Sequence, residues 1–98
     1  MAESPEDHAL RQRIIGAARQ AGEANASSGT SQVLANRHLA AVQNQRAVLE
    51  AVKADRPDFK VAGGSIDNAI ESVNHKIARI EAEIPTLPTH GPADHYYT

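Results

Sequence analysis

The chain has no cysteine and no tryptophan. Without cysteine there is no disulfide framework, no thiolate metal site and no cysteine nucleophile. The aromatic residues are one Phe and two Tyr, 3% of the sequence. So few rings provide no stacking platform for bases or sugars. A dominant charge is missing too: ten basic residues stand against twelve acidic ones, a formal net charge of −2. That balance leaves no strong nucleic-acid footprint. No apolar run approaches the roughly 20 residues of a membrane span. The acidic start, Met1-Ala2-Glu3-Ser4-Pro5-Glu6-Asp7, lacks the apolar core of a secretory signal. The expected location is the cytoplasm, or a virion or other complex built from there.

What is present fits one small domain. The chain has 98 residues, of which 41% are hydrophobic. Alanine dominates: 18 Ala accompany 5 Leu, 7 Ile and 6 Val. A core with so few large side chains is thin, and a partner or further copies of the chain are the expected source of additional burial.

Ser4-Pro5-Glu6-Asp7 reads as a helix start, with a capping serine, proline in the first turn and acids at the positive end of the dipole. Leu10, Ile14, Ala17, Ala21 and Ala24 then share one face, which predicts a helix over about 5–25. A polar loop follows, and Thr30 or Ser31 caps a second helix over about 31–54. Its stripe is Ala35, Leu39, Val42, Leu49 and Val52, interrupted by His38, Gln45 and Arg46. Pro57 stops it. The connector Phe59-Lys60-Val61-Ala62-Gly63-Gly64 is expected to place Phe59 and Val61 as a plug over one end of the bundle.

Ser65 caps the third helix, about 66–84, which carries the clearest pattern. Ile66, Ile70, Val73, Ile77, Ile80 and Ile84 are spaced like the a and d positions of a coiled coil, with no polar residue among them. β-Branched residues at both positions favour three or four strands when such a seam joins separate chains. Helices two and three are expected to pair antiparallel, with the first packed on them. The expected fold is all-α: a helical domain over 1–84, a coiled-coil-like third helix, and a Pro-rich extended tail over 85–98 that ends with both tyrosines, Tyr96 and Tyr97.

Catalytic chemistry finds little support. No serine sits in a Gly-x-Ser-x-Gly turn, and Glu71, Glu81 and Glu83 read as solvated charge away from the Ile seam. Ala62-Gly63-Gly64-Ser65 precedes a helix but lacks a Walker lysine, and reads as a hinge and cap. No His-Glu-x-x-His occurs among the five histidines. No catalytic residue, metal, cofactor or small-molecule substrate is therefore expected. Residues 27–60 carry five basic and three acidic groups. Arg37, Arg46 and Lys53 are the candidates there for a DNA-binding regulator.

The leading expectation is a non-enzymatic structural, assembly or adaptor protein, in a phage virion or a bacterial complex. It would self-associate or dock on a protein partner through the Ile seam, with Tyr96 and Tyr97 as anchors of a C-terminal arm. The alternative is a small regulatory binder: an antitoxin, an immunity protein or a DNA-binding regulator.

Overall fold

Each helix begins where a serine can accept a backbone N–H. The computed structural model describes residues 3–91. Helix α1 is Pro5–Asn25, with the Ser4 hydroxyl accepting from the Asp7 amide at 3.1 Å and Pro5 in the first turn. Helix α2 is Gln32–Asp55, capped by Ser31, whose hydroxyl accepts from the Leu34 amide at 3.3 Å. Helix α3 is Ile66–Glu83, capped by Ser65, which accepts from the Asn68 amide at 3.1 Å.

Between α2 and α3 the chain makes a minimal hairpin that the sequence pattern does not announce. Strand β1 (Lys60–Val61) pairs antiparallel with β2 (Gly64–Ser65), Lys60 opposite Ser65 and Val61 opposite Gly64. The two turn residues both have positive φ, 51° at Ala62 and 82° at Gly63, as a twisted two-residue hairpin requires. Ala62 therefore sits in the left-handed region without glycine's freedom. The hairpin presses Phe59 into the core, with Val61 packed against the same cluster.

Polar contacts between helices show how they run. Arg56 at the end of α2 pairs with Asp7 at the start of α1. Lys53 Nζ lies 2.6 Å from Asp67 Oδ1 at the start of α3, and Arg46 donates to Asn74 Oδ1 at 3.2 Å. Both α1 and α3 thus run antiparallel to α2. Apart from the hairpin, the fold is a small helical bundle. Its innermost side chains are Leu34, Val42, Leu49, Val52 and Ile66. Each contributes about 1.5–3 kcal/mol by leaving water.

After α3 the chain does not run straight out at Pro85. Ile84–Thr86 form a 3-10 turn with the proline in its first positions, where a missing N–H has no consequence. Residues 87–91 then strap the start of α2. The Gln32 amide donates to the Pro88 carbonyl at 2.7 Å, and Gln32 Nε2 donates to the Leu87 carbonyl at 3.1 Å. Gly91 lies so close that a Cβ there would stand 2.8 Å from the Thr30 carbonyl oxygen. The expected extended arm therefore begins as a clasp, and its Tyr96 and Tyr97 lie outside the described residues.

Candidate docking groove

α1 and α3 pack along α2 far more than on each other. Over α2, between them, lie two cavities of about 380 Å³ and about 240 Å³. Ala18, Gln45 and Lys76 line both, so the two form one open groove along the bundle. The α1 wall is mostly small residues, Ala18, Ala21 and Gly22, with Ile14 at the hairpin end. Ile15 stands three residues before Ala18 and seven before Gly22, on the same helical face. It is 40% exposed, the only exposed large apolar side chain among the described residues.

The α3 wall changes character along its length. Ala69 and Ser72 line the end near the hairpin, and Lys76, Arg79 and Glu83 follow at helical spacing. No carboxylate lies within ion-pair distance of Lys76 or Arg79 among the described residues. Asn25 and Ser28 close the far end.

The floor belongs to α2, which places Ala35, His38, Gln45 and Leu49 there. Gln45 Oε1 is buried without a hydrogen-bond partner, the only such side-chain atom among the described residues. A buried carbonyl left without a donor costs about 1–3 kcal/mol. His38 is also buried. Burial pushes its pKa below the ordinary histidine value, the Lys76 charge pushes the same way, and Glu83 opposes them.

The residues singled out in the sequence fall elsewhere. Ile66, Val73, Ile77 and Ile80 are buried in the core cluster, and Ile70 and Ile84 are half-buried against it. Ile66, Val73, Ile77 and Ile80 are thus packed within their own chain, and a second chain reaches these four only if α3 leaves the bundle. Of the seam, Val73 and Ile80 also line the groove. The three basic candidates do not form one patch. Arg46 and Lys53 engage Asn74 and Asp67 of α3, and the Asp67 carboxylate holds the Lys53 ammonium above its ordinary value. Arg37 is exposed nine residues before Arg46, and so projects from the opposite side of α2. Gly63 serves the hairpin turn and Ser65 the cap, with no phosphate cradle between them.

The sequence pattern missed the groove because much of its lining is Ala, Gly and Ser, which mark no face. The available signal was His38 and Gln45 interrupting the apolar stripe of α2. Among the described residues no cluster of metal-ligating side chains occurs, and no helix is long and apolar enough to cross a membrane. No protein family, curated protein or solved structure matches the chain.

Proposed function

We propose that the chain is a non-enzymatic assembly or adaptor protein that acts by helix–helix packing. The observation that carries this reading is the groove: three helices occupy three positions of a four-helix arrangement, and the fourth stands open over α2. The small residues Ala18, Ala21 and Gly22 on α1, and Ala69 and Ser72 on α3, allow a further helix to approach at the roughly 8–10 Å spacing of packed helices. A C-terminal arm with Tyr96 and Tyr97 as anchors is the second contact of this proposal. A role in a virion or a bacterial complex, in the cytoplasm or built into the particle, belongs with it and rests on the Ala-rich, cysteine-free composition.

The test is a selection on the full chain from a display library of helical peptides, repeated on Ala18→Trp. Ala18 is exposed and lines both cavities, so tryptophan there fills the groove without entering the core. Enrichment on the wild-type chain and its loss on Ala18→Trp are expected. Equal enrichment on both, or none on either, would remove the groove as a docking site.

A further inference from the structure

We infer that the groove between α1 and α3 takes an acidic amphipathic helix of a different protein, which completes a four-helix bundle. The inference rests on the docking reading above and names the partner's chemistry.

Charge decides it first. The α3 wall carries Lys76 and Arg79. Neither has a carboxylate within ion-pair distance among the described residues. Glu83 is the single acid lining the groove, at its far end. A helix with carboxylates flanking an apolar stripe would satisfy these cations while its stripe covers Ala18, Gly22 and Ala69. Ile15 on the lip would then be covered as well.

Shape decides it next. From Ala69 to Glu83 the groove follows α3 for about 21 Å at 1.5 Å per residue. That is the length of about four helical turns. Gln45, on the floor midway, offers a carbonyl oxygen that has no donor among the described residues. A Ser, Thr or amide side chain on the incoming helix would supply one.

A second copy of this chain fits less well. Its described residues expose no apolar helix face to insert, since Ile15 alone is large, apolar and exposed, and it belongs to the groove's own lip. Two grooves set face to face would also oppose Lys76 and Arg79 to their own copies.

The experiment sorts the peptides selected above by charge and repeats the selection on Lys76→Glu/Arg79→Glu. Both residues lie on the lip, outside the buried core, so the double variant is expected to fold; its circular dichroism checks this. Glu and Asp are expected to be enriched beside the apolar stripe on the wild-type chain. A fluorescent Glu-flanked peptide from that pool is expected to bind about 10-fold more weakly to the double variant, and about 10-fold more weakly with its Glu residues replaced by Lys. Enrichment lost on Ala18→Trp but with no charge bias would overturn this inference and leave the docking reading intact. Enrichment indifferent to Ala18→Trp would overturn both. A doubled mass by light scattering that Ala18→Trp abolishes makes a second copy the occupant, and the inference fails. It fails equally if Ala18→Trp shifts the NMR signals of Tyr96 and Tyr97 in the peptide-free chain, because the chain's own end then fills the groove.

Discussion

The guanidinium carbon of Arg11 lies 4.8 Å from the centroid of the Phe59 ring. The same side chain donates to the Lys60 carbonyl at 3.0 Å and to Glu3 Oε1 at 2.8 Å. One residue of α1 thus holds the entry to the hairpin in place and covers the plug beneath it. Arg11→Ala is expected to destabilise the fold by about 1–2 kcal/mol, through lost cation–π attraction and an unpaired carbonyl. Arg11→Lys keeps the charge but not the planar fork, and its urea midpoint should fall between the two.

Ala62 carries strain that another residue would relieve. At φ 51° beside Gly63 at 82°, it occupies a position where Asn-Gly is the favoured pair. Ala62→Asn is expected to raise stability by about 1 kcal/mol. In a domain of this size that raises the melting temperature by about 4–8 °C. An unchanged melting temperature would mean that the turn is not strained.

The orphaned carbonyl of Gln45 predicts another gain. Gln45→Leu removes the buried acceptor and is expected to stabilise the free chain by about 1–3 kcal/mol, read by urea unfolding. A loss of stability would show that the amide has a partner in solution.

His38 makes stability depend on pH. Its folded pKa lies below the ordinary value of about 6.5. As pH falls through that value, the unfolded chain takes up a proton that the folded chain resists, so stability falls with it. The loss continues until the folded-state pKa is passed. Lys76 strengthens the effect and Glu83 opposes it. His38→Gln is expected to flatten the decline between about pH 7 and 5. Equal slopes in the two proteins would assign it to other groups.

Two isoleucines separate core from surface. Ile77 is 6% exposed and Ile15 is 40% exposed. Ile77→Asp buries an unpaired charge and is expected to remove more than about 3 kcal/mol, enough to unfold a small domain. Ile15→Asp is expected to change stability by less than about 0.5 kcal/mol. Similar unfolding midpoints for the two variants would place the seam at the surface.

The helices were legible because their signals are local. Ser4, Ser31 and Ser65 stand directly before apolar periodicity, and each proves to be a cap. The seam of α3 was legible as a buried face, but periodicity says only that a face is covered, not by which chain. The hairpin escaped because two-residue strands have no pattern and Ala62 is not a residue that announces positive φ. The groove escaped for a different reason. It depends on where α1 and α3 stand around α2, and Ala18, Gly22 and Ser72 are compatible with either a closed or an open arrangement.

The strap over the start of α2 has a use beyond holding the chain's end. Gln32 is the first residue of its helix, so its amide has no acceptor within the helix. Among the described residues its only backbone acceptor is the Pro88 carbonyl, 56 residues away in sequence. Deuterium uptake at that one amide therefore clocks the opening of residues 87–91, while its neighbours further along α2 report on the helix itself.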